Sequence, residues 1–97
     1  MFTEIVTLQL PEATDQESVL ANFKLTAADW RDNPDLVRKH YLFDRERNVI
    51  GGVYLWRRRQ DAEKWHGAQF RSQAKARYGA VPDIQIFETP IIIVNTV

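Results

Sequence analysis

The first ten residues, MFTEIVTLQL, alternate in character. Phe2, Val6, Leu8 and Leu10 fall on one side, and Thr3, Ile5, Thr7 and Gln9 on the other. A period of two predicts a strand, and Pro11 ends it because proline cannot donate to a ladder. The second side is semi-polar, which a cavity wall tolerates.

The pattern then changes to a period near 3.6. In TDQESVLANFKLTAADW, residues 14–30, Val19, Phe23, Ala27 and Trp30 follow at steps of three or four. That predicts an amphipathic helix with one apolar stripe. Thr14 and Glu17 have the spacing of a capping box. Asn33 before Pro34 is pushed out of helical geometry, so RDNPDL ends the helix.

LVRKHYLF (36–43) and VIGGVYLW (49–56) are rich in β-branched and aromatic residues. The short polar DRERN between them predicts a hairpin. Gly51 and Gly52 inside the second strand mark a bulge or a close approach to the backbone. Ile50, Gly52, Tyr54 and Trp56 share a face, as do Arg38, His40 and Leu42. QDAEKWHGAQFRSQAKARYG (60–79) reads as one helix. Ala62, Trp65, Gln69 and Ala76 form one stripe, and His66, Phe70, Ala74 and Tyr78 form the next. Gly79 is its C-terminal cap. DIQIFETPIIIVNTV (83–97) is a last strand broken by Pro90, and its apolar end needs a cover.

The order βαββαβ is the α+β, ferredoxin-like plan, an antiparallel sheet with its helices on one face. A second copy packed on the other face is the simplest cover, which predicts a homodimer.

Composition narrows the picture. Ninety-seven residues, 44% hydrophobic, fit one domain over 1–97. Thirteen basic and 13 acidic residues cancel. That argues against a protein built for bulk binding to nucleic acid. No cysteine is present, so disulfide, thiolate and cysteine-metal chemistry are excluded. No signal peptide or apolar run long enough to span a bilayer is expected. A cytoplasmic location without membrane contact follows as the default.

VRKHYLFD, GGVYLWRRRQDAEKW and RYGAVPDIQIFETP together resemble the YdhR-like monooxygenases. These belong to the dimeric α+β-barrel superfamily, which includes the antibiotic-biosynthesis monooxygenases. His40 stands where members often carry Tyr. Arg57, Arg58 and Arg59 stand where acidic residues and a Ser or Asp are common. The resemblance implies a dimer with packed sheets and a pocket between each sheet and its helices. It also implies cofactor-free oxygenation of a small quinol- or anthrone-like aromatic.

In that outline His40 or His66 is the candidate base, since histidine titrates near neutrality. Tyr54 or Tyr41 holds a substrate oxygen, and Trp30, Trp56 and Trp65, with Phe23, hold the ring. Each aromatic also has a plain reading as core, and the arginines as a solvated turn or an anion-binding rim. Glu63 and His66 have the E-x-x-H spacing of di-iron bundles, but in a single copy, so no metal is expected. Haem would need His40 or His66 as ligand. RNA recognition by the same strand order fails on the motif, because Val49, Ile50 and Gly51 precede Gly52. The rival of another class is a non-catalytic dimeric module that binds a small aromatic.

Overall fold

A computed structural model describes residues 1–96. The elements are β1 (Phe2–Gln9), α1 (Gln16–Arg31), β2 (Leu36–Asp44), β3 (Val49–Trp56), α2 (Arg59–Trp65), α3 (Ala68–Tyr78) and β4 (Asp83–Glu88). The four strands lie in the order β2-β3-β1-β4 with every neighbouring pair antiparallel. This is the α+β ferredoxin-like plan.

The register builds rows across the inner face. Lys39, Tyr54, Glu4 and Ile86 are opposite one another on successive strands, and Tyr41, Gly52, Val6 and Ile84 form the next row. An irregularity between Leu36 and Arg38 adds a residue to β2. Such a bulge changes which side chains turn inward. Here Leu36 packs against the core cluster of Val6, Tyr54, Trp56 and Ala62, and Lys39 pairs with the buried Tyr54. A second cluster joins Leu8, Leu10 and Ile50 of the sheet side to Val19 of α1, with Phe23 and Tyr78 against it.

Gly51 is required by close approach, because a Cβ there would collide with the Val6 carbonyl oxygen on β1. Gly52 makes room for side chains. An added Cβ would lie 2.9 Å from Tyr54 Cε1 and 3.2 Å from Lys39 Cε.

Three expectations from the sequence need correction. The cap of α1 is Asp15 rather than Thr14; its carboxylate accepts from the Glu17 amide at 3.1 Å and the Ser18 hydroxyl at 2.7 Å. The helix expected over 60–79 is two helices. His66 leaves helical geometry at φ −122°, ψ 40°, and Gly67 starts the next helix from an extended conformation. One inward stripe, Ala62, His66, Phe70, Ala74 and Tyr78, runs through the break at steps of four, which is why periodicity did not reveal it. Third, residues 91–96 form no strand. Ile91, Ile93 and Val94 are exposed at 77%, 82% and 68%. The tail's last residue, Val97, lies outside the described residues.

Candidate functional site

Between the inner sheet face and helices α1 and α3 lies a cavity of about 220 Å³. Val6, Leu8 and Ile50 form part of its floor, and Phe23, Trp30, Tyr41 and Tyr54 stand around it. Their placement follows from parity. Tyr41 and Tyr54 point inward from adjacent strands, while Phe23 and Trp30 lie on the stripe of α1 that faces them. The Phe23 and Tyr41 rings stack with centroids 4.6 Å apart, and Trp30 meets Tyr54 edge-on at 5.2 Å.

Polar groups at this cavity are few. The Thr26 hydroxyl donates to the Phe23 carbonyl at 3.1 Å, so Tyr41 is the donor in its 2.7 Å bond to Thr26. Among the described residues the Tyr54 hydroxyl has no hydrogen-bond partner. Burial, with smaller contributions from the Glu4 carboxylate and Tyr41, pushes the Tyr54 phenol well above its usual range. It therefore stays protonated and acts as a donor, not a base.

Lys39 also lines the cavity. Its ammonium nitrogen sits 3.9 Å from the Tyr41 ring centre, 4.3 Å from that of Trp30 and 4.6 Å from that of Tyr54. Burial pushes this lysine down to about 7, because an apolar setting disfavours the charged form.

The other sequence candidates lie elsewhere. Trp56 is fully buried behind Tyr54, stacked on it at 5.9 Å, and its indole donates to Glu4 Oε1 at 3.0 Å. His66 is completely enclosed, with Nδ1 2.5 Å from the same Glu4 oxygen. It abuts the rings of Tyr54 and Phe70 at 4.4 and 4.5 Å. Glu4 Oε2 and His66 Nε2 are buried without partners among the described residues. Both residues border a shallow groove near Ile84 and Arg71, not the aromatic cavity. His40 is exposed on the opposite sheet face, beside Arg38, Leu55 and Ile92. Trp65 is 39% exposed; it touches Trp30 edge-on and donates to Asp35 at 3.1 Å.

The three arginines each find a local partner. Arg57 donates to the Pro34 carbonyl, Arg58 pairs with buried Asp61 at 2.9 Å, and Arg59 pairs with Glu63. Among the described residues no group of three His, Cys, Asp or Glu could hold a metal ion. No helix among them is long and apolar enough to cross a membrane.

Two residues of this region escaped the sequence reading. Glu4 has the parity of Phe2, Val6 and Leu8, and an acid on an apolar face is the signal that could have found it. Lys39 has the parity of Tyr41 and Phe43, opposite to that of His40.

No family model matches the sequence, and comparison with curated proteins finds no match. Solved structures share the fold over nearly the whole chain. SnoaB, a cofactor-independent oxygenase from Streptomyces nogalater solved as a point variant, is 16% identical, with 97% of each chain covered and a TM-score of 0.66. A monooxygenase from the gene ActVA-Orf6 of Streptomyces coelicolor, in complex with nanaomycin D, is also 16% identical. The match covers 98% of this chain and 92% of that one, with a TM-score of 0.66. NE2512 of Nitrosomonas europaea, of unknown function, is 15% identical over 98% and 94% of the two chains, with a TM-score of 0.65. At these identities the likeness establishes the fold.

Proposed function

We propose that the protein is a monooxygenase that works without metal, flavin or haem on a small aromatic compound bearing an ionisable hydroxyl or an activated methylene. The observation that carries this reading is the aromatic-walled cavity between sheet and helices, with Phe23, Trp30, Tyr41 and Tyr54 around it. Its volume, about 220 Å³, lies below the roughly 300–1,000 Å³ of drug-sized sites. That suits a few fused rings at most. The fold shared with two solved oxygenases supports the reading, as does the resemblance of the strand motifs to the YdhR-like family.

The chemistry asks little of the protein. For an anthrone-type substrate a ring CH2 and O2 become a ring C=O and water. A base takes one proton, and the anion passes an electron to O2. The two radicals join at carbon, and the hydroperoxide loses water as its O–O bond breaks and the second C–H proton leaves. All the electrons come from the substrate. The protein supplies a proton acceptor, a flat apolar slot and exclusion of bulk water. Tyr54, held protonated, donates a hydrogen bond to the substrate oxygen.

The reading includes a homodimer. The outer sheet face carries Ile5, Leu42, Val53 and Leu55, Phe87 is 50% exposed, and the apolar tail lies beside it at Ile92. A second copy of this face is its natural cover. His40 then belongs to the interface rather than to the cavity.

The test is oxygen uptake by chelator-treated protein with a panel of quinols, catechols and anthrones. Protein-dependent uptake is expected for at least one member. Binding without uptake, read as quenching of Trp30 at the cavity wall, would instead identify a binding module of the same fold.

A further inference from the structure

We propose that Lys39 is the general base of the aromatic cavity, taking the hydroxyl proton of a phenolic or enolic substrate and remaining beside the anion as its counter-ion. The inference rests on the reading of this cavity as an aromatic-substrate site, and it narrows the substrate class to compounds with such a hydroxyl.

Position comes first. Among the other titratable groups, His66 is enclosed and held by Glu4 at 2.5 Å, away from the cavity. His40 is on the other face of the sheet. Tyr54 and Tyr41 are phenols, and Tyr41 already donates to Thr26. Arg77 lines the cavity but cannot be deprotonated. Lys39 lines it and ends in a nitrogen with a lone pair to offer once neutral.

Its surroundings fit the task in both protonation states. Three ring faces lie 3.9–4.6 Å from the nitrogen, and such faces attract an ammonium. No carboxylate forms an ion pair with it among the described residues. The inner-face carboxylate of its row, Glu4, lies beyond Tyr54 and is taken up by His66 and Trp56. The charged side chains beside it, Arg77 in the cavity and Arg31 in the groove on its open side, are also cationic. Burial in the empty site therefore weakens the ammonium, in line with the depression of this lysine to about 7, and the amine is mostly neutral above that pH. A bound phenolate supplies the missing counter-charge in a setting where it is poorly screened.

The step is balanced. The substrate O–H bond breaks and an N–H bond forms on Lys39. The electron pair stays on the substrate oxygen, where it makes the ring a better electron donor to O2. Gly52 keeps this arrangement open, since a Cβ there would press on both Tyr54 and the Lys39 stem.

The experiment uses 2-naphthol, whose protonated and ionised forms absorb differently, with wild type, Lys39→Met and Lys39→Arg at pH 8. Binding is followed by tryptophan quenching, and proton exchange with a pH indicator. Wild type is expected to bind the naphthol as its anion with no proton released to solution. Lys39→Met should bind it unionised. Lys39→Arg, a fixed cation, should bind the anion and release a proton. With an oxidisable quinol, uptake should fall about 100-fold or more in Lys39→Met and far less in Lys39→Arg, which holds the substrate already ionised.

Ionised naphthol in Lys39→Met, or unchanged oxygen uptake in that variant, would overturn the role of Lys39 while leaving an oxygenase in place. Internal proton transfer by wild type with no uptake on any substrate would keep Lys39 and remove the oxygenase. A wild-type protein that does not bind the naphthol at all would remove both.

Discussion

Glu4 offers the sharpest structural prediction. It is a carboxylate with no exposed surface, and one of its oxygens accepts from the Trp56 indole at 3.0 Å and lies 2.5 Å from His66 Nδ1. Truncation to alanine strands both groups in an apolar interior. Each unpaired buried polar group costs roughly 1–3 kcal/mol, and breaking a buried pair costs about 3–5 kcal/mol in general. Glu4→Ala should therefore lose about 4 kcal/mol. That is a large share of the roughly 5–15 kcal/mol that holds a typical domain. Glu4→Gln keeps the accepting oxygen and should cost about 1–2 kcal/mol, mainly for an amide nitrogen where Oε2 has no partner. Urea unfolding at one fixed protein concentration, followed by tryptophan fluorescence, measures both. A cycle with His66→Ala adds a check. Removing both partners should cost less than the sum of the single changes, by roughly 1–3 kcal/mol. A Glu4→Ala cost under about 1.5 kcal/mol, or strict additivity with His66→Ala, would refute the pairing.

Other predictions follow from the same geometry. Gly51→Ala forces a Cβ onto the β1 backbone and should cost more than about 3 kcal/mol; Gly52→Ala meets only side chains and should cost about 1–2 kcal/mol while weakening naphthol binding. Lys39, at about 7 when folded against 10.5 when free, leaves the unfolded chain holding the extra proton between those values. Stability should therefore rise with pH across that window. Lys39→Met should flatten this slope and melt higher than wild type at pH 6, which thermal scans across pH will show. Asp15→Ala removes the acceptor at the start of α1 and should cost about 0.5–2 kcal/mol, read by urea unfolding. Phe87→Asp places a charge on the outer sheet face and, if the proposed dimer forms there, should lower the mass in light scattering from dimer to monomer; an unchanged mass would locate the interface elsewhere.

Much of the architecture was legible because parity and period are local properties. The alternation of Phe2, Val6 and Leu8 marked β1, and the stripe of Val19, Phe23 and Trp30 marked the face of α1. Local pattern could not show the break at His66 and Gly67, since Ala62, His66, Phe70, Ala74 and Tyr78 keep steps of four across it. Nor could it choose between the adjacent caps Thr14 and Asp15. The cavity was half legible. Phe23, Trp30, Tyr41 and Tyr54 were candidates as large aromatics, and they meet at the cavity. Trp56 shares the Tyr54 face but is taken up by Glu4, a long-range contact invisible along the chain. Lys39 was hidden by chemistry rather than geometry. A lysine between Arg38 and His40 looks like a solvated strand edge, and only the rings of Trp30 and Tyr41 reveal an enclosed amine.

The most direct measurement of the central claim is the fate of labelled oxygen. Chelator-treated protein is supplied with 18O2 and the quinol or anthrone it consumes, and the product is weighed by mass spectrometry. One 18O atom is expected in the product and the other in water, with no dependence on added metal or flavin. A product whose new oxygen comes from solvent, or O2 reduced only to hydrogen peroxide, would contradict the claim.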